Sequence, residues 1–221
     1  MENVFSFLPL SFIAITLASL FLIYRATQDK RTLIILSVWA IILTVLSLNG
    51  FYADLDAIPP RPIFLFVSII LLVIFLSRTL KPGIGAVKAL LAIHILRIFV
   101  ELVLHQIYIK GDIPVDMTYE GFNFDIISGI SALVLFLLVQ SQGVEKYRKL
   151  IYYWNFLGLA LLAIVVITAI LSLPTRFQQL NFDQPNEAVL YFPYVLLPGI
   201  VVLIVLLSHI LLLKTLGKGK A

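Results

Sequence analysis

Cysteine is absent from the 221-residue chain. That one absence removes disulfides, thiolate metal sites, iron–sulfur clusters and cysteine nucleophiles. Charge is scarce: only 13% of the residues are Asp, Glu, Lys or Arg, against about 25% in a soluble domain. No polar run is long enough for a soluble domain, since every segment between apolar stretches is shorter than about 20 residues. Motifs that carry chemistry are missing too. The chain has no HExxH of the zincin metalloproteases, no glycine-rich phosphate loop ending in GKS or GKT, and no GxSxG nucleophile elbow. The glycine pairs Gly83-Ile84-Gly85 and Gly217-Lys218-Gly219 do not join a strand to a helix.

What is present is mostly apolar. Hydrophobic residues make up 61% of the chain, and the mean hydropathy is +1.07. At about 20 residues per crossing, seven spans are expected, at 4–24, 33–52, 62–80, 89–109, 123–141, 150–172 and 189–213. The expected fold is all-α: a polytopic seven-transmembrane-helix bundle forming a single membrane domain over residues 1–221. Met1-Glu2-Asn3 lacks the basic segment of a cleavable signal peptide, and the apolar run after it is too long for one. Residues 4–24 are therefore expected to remain as the first span. Asp54-Leu55-Asp56-Ala57-Ile58-Pro59-Pro60-Arg61-Pro62 reads as a stiff link, with Pro62 suited to a first helical turn. Lys81-Pro82-Gly83 breaks the chain after the third span.

Alternate loops differ sharply in Lys and Arg. One side holds Arg25, Lys30, Arg31, Arg78, Lys81, Lys88, Lys146, Arg148, Lys149, Lys214, Lys218 and Lys220; the other holds Arg61, Lys110 and Arg176. Twelve against three places the N-terminus outside and the C-terminus in the cytoplasm by the positive-inside rule. The pI near 9.3 arises from these dispersed loop residues, so it gives no support to nucleic-acid binding; the expected partner is the lipid bilayer.

Seven spans in this orientation permit two parallel triplets joined by span four. Pro62-Ile63-Phe64…Leu76-Ser77-Arg78 and Pro193-Tyr194-Val195…Leu207-Ser208-His209 share spacing in support of such a repeat. Small residues at Ser128-Gly129-Ile130-Ser131-Ala132 and Gly158-Leu159-Ala160 suit close helix approach. Pro193 and Pro198 are expected to interrupt span seven. Tyr152, Tyr153 and Trp154 on one side, and Tyr191 and Tyr194 on the other, are expected at the interfaces. Span seven has no lysine in its interior, which argues against a retinal Schiff base.

The exception to this apolar texture is Lys88–Lys110, which carries His94, Arg97, Glu101 and His105. At about 100° per helical residue, these four and Tyr108 fall within an arc of roughly 80°. Ionisable groups in hydrocarbon each cost about 2.5–3.5 kcal/mol even on the lenient insertion scale, so the stripe must face protein or water. Arg97 and Glu101, and Glu101 and His105, are i, i+4 pairs with Glu101 at their shared centre. The loop entering span five adds Asp116, Tyr119, Glu120, Asn123 and Asp125. The candidate ligand- or proton-binding residues are accordingly Arg97, Glu101, His105, Tyr108, Tyr119, Glu120, Asn123 and Asp125, around a pocket open to the outside and floored by Glu101. Helix capping competes as an explanation for Asn123 and Asp125, and a structural ion pair competes for the stripe.

A second, inner polar layer comprises His94, Asn155 and His209. His94 and His105 are about 16 Å apart along a helix axis and cannot share a metal ion. His94 and His209 lie at similar depth, where two imidazoles can ligate a metal or flank a haem; without a motif no metal site is assigned and the cofactor stays unknown.

Arg97-x-x-x-Glu101-x-x-x-His105 followed by Met117-Thr118-Tyr119-Glu120-Gly121-x-Asn123-Phe124-Asp125 resembles small multipass membrane proteins of bacteria that carry no assigned function. The resemblance covers residues 94–125 and implies a bacterial inner-membrane setting, without an activity, substrate or cofactor. Three functions fit the residues. The first is a small-solute or proton-linked carrier or ligand-binding protein, with Glu101 as the protonatable group, Arg97 as its charge partner and His105 as a relay. The second is a membrane-embedded enzyme acting on a lipid or quinone-like substrate, with Glu101 and His105 as acid and base. The third is a structural or assembly subunit.

Overall fold

A computed structural model describes residues 7–217, and all regular structure among them is helical. Seven long helices follow in chain order: α1 Phe7–Thr27, α2 Lys30–Leu48, α3 Pro62–Thr79, α4 Val87–Ile109, α5 Asp125–Gln142, α6 Val144–Leu171 and α7 Leu203–Gly217. A π-helical turn, Leu197–Val202, leads directly into α7. Residues 4–6 of the expected first span, and Lys218 and Lys220 of the basic count, lie outside the described residues.

Local chemistry sets the helix ends. Asp29 caps α2, its carboxylate accepting from the backbone N–H groups of Arg31 and Thr32, both at 3.1 Å. Pro62 opens α3 where its missing N–H is not needed. Gly143, with φ of 84°, turns α5 into α6.

α4 and α7 form the centre. α7 packs against α1, α3, α4 and α6, while α4 packs against α1, α5 and α7. Outside them, α1, α2, α3, α5 and α6 turn large apolar side chains outward, among them Phe21, Ile41, Leu71, Leu137 and Ile167. An aqueous solvent would penalise such a surface and hydrocarbon does not. Six segments, α1, α2, α3, α5, α6 and the π turn with α7, are long and apolar enough to cross a membrane. α4, at 23 residues, rises about 34 Å but carries the ionisable stripe, and its neighbours enclose that stripe. The chain is thus a helical polytopic membrane protein.

Close approach of helices rests on two glycines. A Cβ added at Gly129 of α5 would sit 2.6 Å from Ile98 Cγ1 and 2.9 Å from the Ile98 backbone nitrogen, so only hydrogen lets α5 reach the α4 backbone. At Gly158 of α6 the same atom would lie 2.6 Å from His209 Cε1.

The last span departs from its expected bounds of 189–213. Residues 188–190 form a 3-10 turn, Pro193 stands in irregular chain before the helix, and Pro198 lies inside the π turn. A proline cannot donate to the i−4 carbonyl, and the wider turn absorbs that defect. Trp39 Nε1 donates to the Gly199 carbonyl at 3.2 Å, satisfying one of the backbone groups there. The matched spacing of Pro62 and Pro193 does not extend to structure, because Pro62 starts a helix and Pro193 does not. Two expected interface aromatics pack against interior residues. The Tyr194 ring packs edge-on against Phe12 at 5.3 Å, and Trp154 packs against His94 while its Nε1 donates to Ser131 Oγ at 2.8 Å.

Candidate functional site

α4 presents Arg97 and Glu101 to the interior, and both are almost fully buried, at 3% and 1% exposure. Arg97 pairs with α5 rather than with its own helix. Its Nε donates to Asp125 Oδ2 at 3.0 Å and its Nη2 to Asp125 Oδ1, a two-pronged carboxylate contact. Asp125 occupies the first turn of α5, where the helix dipole favours a negative charge. The expected Arg97–Glu101 pair is therefore corrected: side chains of one helix lean along the axis, whereas the α5 terminus meets the guanidinium fork head-on.

The third arm of Arg97 joins the two polar layers that the sequence kept apart. Nη1 lies 3.3 Å from His209 Nε2. Arginine only donates, so Nε2 accepts and the His209 proton sits on Nδ1. That nitrogen is 2.6 Å from Asn155 Oδ1, and Asn155 Nδ2 donates back to the His209 carbonyl at 2.9 Å. The His94 ring lies 4.1 Å from that of His209, centroid to centroid. Ser208 Oγ lies 2.7 Å from His94 Nε2 and 3.1 Å from the Val205 carbonyl. Asp125, Arg97, His209 and Asn155 thus form one buried network tying together α4, α5, α6 and α7.

This geometry does not fit a metal or haem at His94 and His209. Both His209 nitrogens and His94 Nε2 are already engaged. Rings 4.1 Å apart leave no room for a porphyrin between them. Among the described residues no group of three or more metal-ligating side chains comes together.

Glu101 is placed differently. Asn123 Nδ2 donates to Glu101 Oε1 at 2.6 Å and to the Met117 carbonyl at 3.0 Å. Asn123 also accepts from the Asp125 backbone N–H at 3.1 Å, but it stands one residue before the α5 N-cap, Phe124, so it does not occupy the expected capping position. Glu101 Oε2 has no hydrogen-bond partner among the described residues. His105 does not complete an i, i+4 pair with it. Its Nε2 is 3.8 Å from Glu120 Oε1, and its ring lies 4.8 Å from Tyr119 and 6.1 Å from Tyr108. His105, Tyr108, Tyr119 and Glu120 form a separate group at the C-terminal end of α4, with Glu120 half-exposed.

A cavity of about 380 Å³ borders Glu101, Asn123 and Asp125. Its other walls are Leu65, Phe66, Ile69 and Ile70 of α3, Leu159 through Ile170 positions of α6, the π turn at Leu197 and Pro198, and Val202 and Leu206. This corrects the expected outward pocket, since His105, Tyr108, Tyr119 and Glu120 are not in the lining. The polar exceptions to the apolar lining are Glu101, Asn123, Asp125 and Asn186. Asn186 comes from the loop before α7, is fully buried, and leaves its Oδ1 without a partner among the described residues. α3 and α6 each pack on α7 and flank the cavity, whose rim includes the exposed Ile70 and Ala163. Asn186 escaped the sequence reading because it lies in a polar loop, Asn181-Phe182-Asp183-Gln184-Pro185-Asn186, with no spacing that ties it to span four.

A polytopic helical membrane protein with an ionic layer in its core and an apolar cavity beside it is the class defined here. The chain belongs to the family described as a domain of unknown function (DUF8737), whose model matches residues 61–217. The match takes in α3 to α7 and every residue of the network and cavity named above. No curated protein and no solved structure matches the chain.

Proposed function

We propose that this protein binds an amphipathic, lipid-like molecule within the membrane, in the cavity between α3, α6 and α7, with Glu101 as its polar anchor. One observation carries the reading: a space of about 380 Å³, almost wholly apolar, meets a buried carboxylate with a free oxygen. Small-molecule sites occupy about 300–1,000 Å³ and combine apolar walls with a few polar groups, and intramembrane ionisable residues are functional by default. The lining favours a lipid-like occupant over a water-soluble solute. The rim at Ile70 and Ala163 gives lateral access from the bilayer, and the π turn in the wall gives the last span a place to bend as a ligand passes.

The test is recovery of bound material. Protein purified in mild detergent should retain an apolar molecule near one per chain by mass spectrometry, and Ala169→Phe, which fills the cavity, should lose it. Equal recovery from both proteins overturns the reading.

The same proposal includes α4 as a seventh crossing, an outside N-terminus and a bacterial inner-membrane location, supported by the loop distribution of Lys and Arg. Because the chain has no native cysteine, Lys81→Cys and Asp112→Cys, which flank α4, should label from opposite faces with an impermeant maleimide. Labelling from one face removes the α4 crossing.

A further inference from the structure

The polar part of the cavity lining is one-sided in its chemistry. Arg97 spends its donors on Asp125 and His209, and Asn123 directs its amide hydrogens to Glu101 and the Met117 carbonyl. What remains free is two acceptors, Glu101 Oε2 and Asn186 Oδ1. Both residues border the same cavity and both are buried beyond nine-tenths. An unmet buried acceptor calls for a donor.

Charge narrows the choice. The Arg97 cation is matched by the Asp125 anion in direct contact, and His209 accepts from Arg97 and so is neutral. His94 engages Ser208 through Nε2 and leaves Nδ1 without a partner among the described residues. An ionised Glu101 is then the one net charge in this layer, with no cation in contact among the described residues. A hydroxyl head has one hydrogen to donate, so it meets one of the two acceptors and leaves the other unmet and the charge uncompensated. A carboxylate head would place like charges together. A head that only accepts would leave Asn186 Oδ1 unmet even with Glu101 protonated.

Resting on the cavity reading above, we propose that the occupant is a cationic amphiphile: a primary ammonium head that donates to Glu101 Oε2 and Asn186 Oδ1, on an apolar body held between α3, α6 and α7. An ammonium supplies three donors and one positive charge, so it answers both deficits at once. The site then holds this head in place of a proton on Glu101.

Equilibrium binding of radiolabelled decylamine to the purified full chain in nonionic detergent, near neutral pH, tests this with unlabelled competitors. Decylamine should compete at concentrations at least tenfold lower than decanol or decanoate. Decyltrimethylammonium, which keeps the charge but has no N–H, should fall between. Glu101→Gln should weaken decylamine at least tenfold and labelled decanol by a much smaller factor, because the glutamine carbonyl still accepts from a hydroxyl but carries no charge. Decanol or decanoate competing as well as decylamine overturns the ammonium assignment, as does an unaffected Glu101→Gln. In that case, loss of decanol binding in Ala169→Phe leaves the cavity reading standing. If no probe binds and Ala169→Phe changes nothing, both fall. Should Glu101→Gln fail to fold, the competition order on the unaltered chain decides alone.

Discussion

Two carboxylates that border the same cavity have opposite surroundings. Asp125 receives two donors from Arg97 and extends, through His209 and Asn155, into a network that spans four helices. Glu101 has one donor, from Asn123, and then a free oxygen beside an apolar cavity. A buried ion pair with every arm engaged fixes helices in register. A half-satisfied group at the edge of a void does little for packing, and its free valence is available to a ligand. The first region holds the bundle together and the second is where binding belongs.

Substitutions can break or sharpen that contrast. The largest effect is expected at Asp125→Ala, which strands Arg97 in the interior. Removing one member of a buried pair costs about 3–5 kcal/mol, to be read from thermal unfolding in detergent; a loss under 1 kcal/mol would remove the distinction between the two carboxylates. Gly158→Ala comes next. Its Cβ would meet His209 Cε1 at 2.6 Å and push the imidazole off Arg97, with overpacking expected to cost about 1–3 kcal/mol. Glu101→Gln retains an acceptor for Asn123 and removes an unpaired charge, so stability should change by less than about 1 kcal/mol, the net worth of one hydrogen bond. A melting midpoint that collapses in this variant would move Glu101 into the structural group. The smallest effect belongs to Glu120→Gln, because a 3.8 Å pair with a half-exposed carboxylate contributes about 0–1 kcal/mol. Salt titration of the unaltered protein should erase even that contribution.

The stripe on α4 was legible in the sequence because five polar residues at helical spacing stand out in an apolar run, and hydrocarbon would not accept them. Arg97, Glu101 and His94 are indeed buried within the protein. Their partners were not legible. Spacing along one helix suggested Arg97 with Glu101 and Glu101 with His105, yet the strongest contact of Arg97 lies 28 positions away and its next lies 112 away. Proximity in sequence ranks same-helix pairs first, while geometry favours the partner that meets the guanidinium fork in its own plane. The cavity was invisible for a similar reason. Its walls are ordinary Leu, Ile, Val and Ala residues on α3, α6 and α7, and nothing in an apolar side chain records whether another will pack against it.

Composition and period alone determined that the chain is a bundle of membrane-crossing helices, because about 20 apolar residues in a row have no other stable arrangement in lipid. They also determined that α4 turns its ionisable face inward. Which charges neutralise one another, which oxygen is left over and where space remains were decided by the assembly of the helices. Those are properties of distance between segments, set by small residues such as Gly129 and Gly158 that allow some helices to touch, and by larger ones that hold others apart.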